Sequence, residues 1–93
     1  MASMVTEIYG GEPYEYYPLG QYVVRAPGVC GGRPTFKYTH IEIAGTLDCI
    51  AAGESIDDLV AGYQGRVPRE AILEAIRIVT DGYIKRLPKL KTA

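Results

Sequence analysis

The chain has 93 residues, of which 47% are hydrophobic and 23% charged, and its formal net charge is -1. This composition is typical of one small globular domain, and the near-zero charge excludes a uniformly basic nucleic-acid-binding coat and a disordered acidic chain. No apolar run approaches the roughly 18 residues of a membrane span, and no signal peptide opens the sequence, so we expect a cytoplasmic protein without membrane contact.

Residues 1–20 are rich in tyrosine, glycine and proline, and three glutamates are their only charged residues. The glycines and prolines predict a flexible acidic arm. Disordered segments contain few aromatic residues, so we expect the arm to dock either on its own domain or on another chain. Tyr14, Tyr16 and Tyr17 are its candidate interface residues, since tyrosine is enriched at interfaces. Met4 is a second candidate start, which would make residues 1–3 an addition to the natural chain.

Two short β-strands are predicted next, over Gln21–Arg25 and Thr35–Ile41, because both runs are rich in β-branched and aromatic residues. The glycines and prolines between them predict turns, so the two strands form a short hairpin ahead of the helices. Gly31 and Gly32 match neither the dinucleotide-binding pattern nor the P-loop pattern. A sharp backbone turn is therefore their expected role.

From Ile41 onward the apolar residues follow a helical period, which predicts a first helix that ends at Gly53. Ser55 begins a second helix as its N-cap, and Asp58 stands three residues later in the capping pattern. The apolar residues of this second helix fall on one face: Ile56, Leu59, Val60 and Tyr63.

A third helix is predicted to begin near Pro68, to weaken at Gly82 and to end at Pro88. Its core-facing stripe is widened by three further apolar residues beyond what one small domain needs, which indicates a dimer contact or, alternatively, loose packing by the N-terminal arm. These candidate interface residues are Leu73, Ile84 and Leu87. Residues 85–93 contain four basic residues and no acidic one, and form a predicted basic tail.

Two helices joined by the tripeptide at 64–66 and preceded by another helix are typical of a trihelical helix-turn-helix. The predicted fold class is therefore mainly α: a homeodomain-like helix-turn-helix over residues 21–84, preceded by a short β-hairpin. In this motif the second helix of the pair offers its N-terminal residues to DNA bases. Arg66 and Arg69 occupy those positions, either as DNA contacts or as solvated charges around a helix start.

Few residues are suited to catalysis or metal binding. Cys30, Cys49 and His40 are the only thiols and the only imidazole, whereas a closed zinc site needs four ligands. Cys49 fits a small core residue, and Cys30 lies in a turn where it is either half-buried or reactive. We expect a non-enzymatic protein without metal or cofactor.

Three segments, in order, resemble the domain of unknown function 433 family: Ala26–Thr35 with its CGGRP turn, Ala51–Leu59, and Tyr63. The resemblance covers roughly residues 22–83. It implies a homeodomain-like helix-turn-helix protein of antitoxin type, commonly dimeric and encoded beside a PIN-like nuclease toxin.

The chain departs from the family pattern at its glycine-threonine-arginine tripeptide, which is Tyr38-Thr39-His40 here. Thr39 matches the pattern. Tyr38 does not readily adopt glycine's backbone angles, so we expect a different local turn. His40 is mostly neutral at pH 7, so a contact made by the family's arginine would be weaker or pH-sensitive.

These observations favour a small DNA-binding helix-turn-helix protein, antitoxin-like or a transcriptional regulator, that acts as a homodimer. The candidate nucleic-acid contacts are Arg66, Arg69, Arg33, Lys37, Thr39 and His40, with the basic tail holding phosphate. The alternative is a protein-interaction module that uses the same fold without DNA binding and takes a PIN-like nuclease or another protein as partner. The tyrosine-rich arm, the wide apolar face of the third helix and the altered tripeptide motivate it.

Overall fold

The computed structural model describes residues 3–87, which form a four-stranded antiparallel sheet followed by three α-helices. Successive strands pair in the order β1-β2-β3-β4. The strands are β1 (Val5–Tyr9), β2 (Glu12–Pro18), β3 (Val23–Arg25) and β4 (Thr35–Phe36), and the helices are α1 (Ile43–Ala51), α2 (Ile56–Gly62) and α3 (Arg69–Arg86). The predicted fold class is therefore wrong: the fold is mixed α/β, with more β structure than a short hairpin before a trihelical unit.

The additional β structure is the β1–β2 hairpin, which lies within the segment expected to be a flexible arm. The pairing runs from Val5 opposite Tyr16 to Tyr9 opposite Glu12. Gly10 and Gly11 connect the strands with φ angles of 61° and 81°, the pair of positive values that a type I′ turn requires. Because such a turn matches the right-handed twist of paired strands, the two glycines close a hairpin here rather than interrupt structure.

The sheet divides the core into two parts because neighbouring residues of a strand point to opposite faces. Val23 of β3 and Phe36 of β4 pack with the helices. Val24 points the other way and packs beneath the hairpin with Tyr16 and Ala26. The remaining buried residues of the larger cluster all follow the sheet: Ile43, Leu59, Val67, Ala71, Ile72 and Ala75.

The helical boundaries agree closely with those predicted. Ser55 caps α2, its hydroxyl accepting a hydrogen bond from the Asp58 N–H at 3.0 Å. Pro68 directly precedes α3, which continues through Gly82 without interruption. The first two basic residues of the predicted tail, Lys85 and Arg86, belong to the last turn of α3, whereas Pro88, Lys89 and Lys91 lie outside the described residues. Within residues 3–87 no helix is long and apolar enough to cross a membrane.

A carboxylate clamp joins α3 to the sheet. Glu74 accepts hydrogen bonds from the backbone N–H groups of residues 21, 22 and 23, at 2.9, 2.7 and 3.1 Å. Gly20 makes room for it, since a Cβ there would lie 2.5 Å from the Glu74 Oε1. The clamp fixes the start of β3 against α3, and with it the position of the neighbouring Tyr22.

Candidate functional site

Four tyrosines from the hairpin and from the turn after β4 pack together; we call them the tyrosine cluster (Tyr9, Tyr14, Tyr16 and Tyr38). Tyr9 stacks on Tyr38 with ring centroids 4.3 Å apart and an angle of 9° between the planes. Tyr14 lies 5.2 Å from both Tyr16 and Tyr38. The cluster therefore attaches the hairpin to the turn that follows β4.

Glu7 of β1 lies within this cluster. Its carboxylate accepts hydrogen bonds from the hydroxyls of Tyr16 and Tyr38, and from the Lys37 ammonium at 3.1 Å. These bonds, from Tyr16 first, lower the pKa of Glu7 from 4.5 to about 2. The Lys37 Nζ also lies 4.7 Å from the centre of the Tyr16 ring. The hairpin thereby holds the lysine that precedes Tyr38.

Acid is expected to loosen the hairpin through Glu7. A carboxylate whose pKa is lowered on folding stabilises the fold above its unfolded value near 4.5, and this contribution is lost as the pH falls towards 2. Near-ultraviolet circular dichroism of the tyrosines between pH 7 and 2 should show the loss. Glu7→Gln should remove this part of the transition, whereas Glu15→Gln, an exposed change on the same hairpin, should leave the wild-type profile. Identical profiles for both variants would contradict the role of Glu7.

Tyr38 adopts the left-handed backbone conformation, with φ of 67°. Tyr38 thus adopts, contrary to expectation, a backbone region that favours glycine, and the predicted difference from the family's turn stays a prediction. The left-handed conformation costs a non-glycine residue about 1 kcal/mol. The stack on Tyr9 and a hydrogen bond from the Tyr38 N–H to the Tyr14 hydroxyl, at 3.1 Å, hold it there.

A cleft of about 360 Å³ lies between this turn and the start of α3. Its walls include two cations, Lys37 and Arg66, and two tyrosines, Tyr22 and Tyr38. The other lining residues are uncharged, so no carboxylate of the described chain lines it. We call it the basic cleft (Tyr22, Lys37, Tyr38 and Arg66). Such a combination suits an anion that carries or adjoins a flat group.

The cations predicted as nucleic-acid contacts differ in their surroundings. Arg66 is exposed, and its side chain makes no hydrogen bond or ion pair within residues 3–87. Arg69 pairs with Asp57 at 2.6 Å, and Arg33 binds both carboxylate oxygens of Glu42 at 2.7 and 3.2 Å. The structure thus brings Lys37 and Arg66 together, and places neither Arg33 nor Arg69 in the wall of the basic cleft.

The two residues of the altered tripeptide that follow Tyr38 also differ in exposure. Thr39 is buried, and its hydroxyl donates to the Phe36 carbonyl at 2.7 Å and accepts from the Ile41 N–H at 3.0 Å. It shapes the turn that positions Lys37. His40 is exposed, and its carbonyl accepts a weak hydrogen bond from the Cys30 thiol at 3.4 Å.

The residues predicted as interface contacts fall into two groups. Tyr16 is buried and Tyr14 half-buried inside the chain's own fold, whereas the other four are exposed. The exposed candidates are Tyr17, Leu73, Ile84 and Leu87.

Sequence reasoning missed Glu7 and Glu74, whose partners lie far along the chain. Among the described residues no group of three or more histidine, cysteine, aspartate or glutamate side chains is arranged to hold a metal ion.

Comparison with known families places this geometry in context. A family model described as protein of unknown function (DUF433) matches residues 23–77. No curated protein and no solved structure matches the chain. The matched segment runs from β3 into α3, so it contains Lys37 and Arg66 but not the β1–β2 hairpin. Because the match covers more than half of the sequence, the chain belongs to the DUF433 family.

Proposed function

We propose that this protein binds DNA and that its basic cleft holds a backbone phosphate between Lys37 and Arg66. The observation that carries the proposal is the cleft itself, to whose wall two separate segments each contribute a cation and no carboxylate is contributed by the described chain. Phosphate contacts supply much of the affinity of DNA-binding proteins, and they need such accessible cations.

The two cations have different parts in this contact. The Arg66 guanidinium presents a planar fork that suits two phosphate oxygens, and no carboxylate within residues 3–87 competes for it. Lys37 is a point charge that Glu7 partly compensates. Arg66 is therefore the main contact, and Lys37, held by the tyrosine cluster, adds a second charge.

The proposed DNA-binding unit is a dimer. The formal net charge is -1, and Arg33 and Arg69 are paired with carboxylates, so one copy offers few phosphate contacts. Two copies double the number of contacts and match a two-fold DNA site. A small regulator or antitoxin-type protein, as the family resemblance implies, uses DNA binding of this kind.

Arg66→Gln is expected to weaken DNA binding at least fivefold, because a charged phosphate contact is lost. Fluorescence anisotropy with the protein's own promoter DNA, from 50 to 200 mM salt, measures this. The logarithm of the association constant falls linearly with the logarithm of the salt concentration, and this negative slope should become shallower by about 0.9 for each phosphate contact removed. The matched control is Arg77→Gln, an exposed arginine of α3 outside the basic cleft. No binding at 50 mM salt, or equal effects of the two substitutions, would refute the proposal.

The second candidate function is protein interaction, and the hairpin favours it. β1 is an edge strand of the sheet, Ile8 is 72% exposed, and Tyr9 is also exposed. An extended segment of a partner, such as a PIN-like nuclease, can pair with an edge strand of this kind. Pull-down from the native extract tests it: recovery of the bait alone speaks against this candidate, and recovery of one protein that Ile8→Glu abolishes supports it.

A further inference from the structure

The second half of α3 carries apolar side chains that nothing in the described chain covers. The buried residues of this helix, Ala71, Ile72 and Ala75, all lie in its first half. Beyond them, Tyr83 is 63% and Ile84 57% exposed, and Val79 and Leu87 are also exposed. The helical stretch from 79 to 86 is about 10 Å long at 1.5 Å per residue, and Leu87 follows as the C-cap of α3.

A groove begins at the base of this stretch, between α1 and α3. It has a volume of about 410 Å³ and its apolar walls are formed by Ile43, Ala44, Leu47 and Val79. The exposed apolar surface of α3 therefore continues directly into an apolar groove. A surface of this kind is typical of a protein contact rather than of a solvated helix face.

The charges at the two ends of this surface are opposite. Lys85 and Arg86 occupy the last turn of α3. Glu42 and Asp48 lie at the groove, where Arg33 pairs with Glu42 and no ion pair within residues 3–87 involves Asp48. The helix end is apolar and basic, and the groove is apolar and acidic. Since α3 leaves the groove at Val79, one chain cannot bring both together.

We propose that the groove between α1 and α3 receives the last turns of α3 from a second copy of this chain. Two α3 helices cross antiparallel about a two-fold axis, so that Tyr83 of each copy packs beside Val79 of the other. Lys85 and Arg86 then lie near Asp48 of the opposite copy. Each copy carries both the apolar, basic end of α3 and the apolar, acidic groove. A second copy therefore covers both of them at once, as an isologous interface requires.

The proposed interface supplies the dimer that DNA binding needs, so the biological role of this interface rests on the proposed function. The association itself is independent of DNA and is measured without it. A monomer that binds DNA would overturn the interface and the dimeric binding unit but not the basic cleft as the phosphate site, and a dimer that does not bind DNA would overturn the DNA-binding function alone.

Sedimentation equilibrium of the full chain between 1 and 200 µM tests the interface. We expect the wild type to be dimeric, and Tyr83→Glu to raise the dissociation constant at least 100-fold, since a charge would enter the apolar groove. Leu87→Glu is a second variant with the same expected direction. Leu73, which the sequence suggested as an interface residue, is exposed but lies about 9 Å before Val79 along α3 and outside the proposed interface, so Leu73→Gln is the matched control and should stay dimeric. Far-ultraviolet circular dichroism verifies that each variant is folded.

Exchanging the two charges tests the proposed pairing of Lys85 with Asp48 of the opposite copy. Asp48→Lys and Lys85→Glu should each weaken the dimer several-fold, and the double variant should recover most of the wild-type affinity at 50 mM salt. A wild type that is monomeric throughout the concentration range overturns the interface. So does a dimer that Tyr83→Glu leaves intact, one that Leu73→Gln disrupts equally, or a charge exchange without recovery.

Discussion

Replacing Glu74 by alanine is expected to lower the free energy of unfolding by about 3 kcal/mol and the melting temperature by about 15 °C. The carboxylate accepts three backbone hydrogen bonds from residues 21–23, more than 50 residues earlier in the chain. Alanine would leave these donors without a partner where the sheet meets α3. Water can replace the exposed bond to the Gln21 N–H, but it reaches the part-buried donors of Tyr22 and Val23 less easily. Urea denaturation monitored by circular dichroism measures the change.

Two further substitutions separate the contribution of the Glu74 hydrogen bonds from that of a negative charge on α3. Glu74→Gln keeps one carbonyl oxygen, which can serve the Tyr22 and Val23 donors, but turns an NH₂ group towards the third; we expect a loss of about 1 kcal/mol. Glu70→Gln, an exposed change one turn earlier on α3, should stay within about 0.5 kcal/mol of the wild type. If Glu74→Ala were no more destabilising than Glu70→Gln, the clamp would not contribute to stability.

The hairpin was the part of the fold that the sequence interpretation missed, although its signal is present. Two runs with tyrosine or β-branched residues flank Gly10 and Gly11. A pair of glycines is a strong hairpin signal because both residues readily adopt the positive φ angles that they have in this turn. The alternation is obscured because Pro13 stands within β2 and because Tyr16 alone of this hairpin becomes buried. Burial of a single residue leaves little periodic pattern to detect.

The helices were predictable because local chemistry determines their ends. The Ser55 hydroxyl satisfies the Asp58 N–H at the start of α2, and Gly53, with φ of 106°, accommodates the junction before it. Pro68 fits directly before α3 because it lacks the N–H that a helix start leaves unpaired. Gly82 was expected to weaken α3, but one glycine costs only about 1 kcal/mol, and α3 passes through it.

The site was predictable as a set of cations but not as an arrangement. Each candidate residue is visible in the sequence, whereas its partner carboxylate depends on the fold. Lys37 pairs with Glu7, 30 residues earlier, and Arg69 with Asp57, 12 residues earlier. Among these candidates Arg66 is the arginine without such a partner in the described chain. It follows the bend at Gln64 and Gly65, with φ of 56° and 79°, and lines the basic cleft.

The hairpin lies outside the family match, yet it acts on a residue inside that match. Glu7 and Tyr16 come from the hairpin, and they hold the Lys37 ammonium that borders the basic cleft. Tyr38, which directly follows Lys37, stacks on Tyr9 of the same hairpin. The aromatic contact therefore holds Tyr38 in a backbone conformation, with φ of 67°, that favours glycine.

Phe36→Ala is expected to lower the free energy of unfolding by about 4 kcal/mol, because the change leaves a cavity where the sheet packs on the helices. Phe36 is 2% exposed and belongs to the same cluster as Val23 and Ile72. Small domains have a total stability of about 5–15 kcal/mol, so this loss would leave a measurable unfolded fraction at 37 °C. Urea denaturation measures it, with Leu73→Ala, an exposed apolar residue of α3, as the matched control.

Phe36 also lines the basic cleft, so a second substitution separates its structural effect from an effect on DNA binding. Phe36→Leu keeps an apolar side chain of similar size, and we expect a loss of about 1 kcal/mol. The backbone hydrogen bond from the Lys37 N–H to the Tyr22 carbonyl, 2.8 Å long, would still hold the Lys37 backbone, and Glu7 would still hold its ammonium. DNA affinity should then stay within twofold of the wild type and remain sensitive to Arg66→Gln. A large loss of affinity in folded Phe36→Leu would instead mean that the aromatic ring itself contacts the ligand.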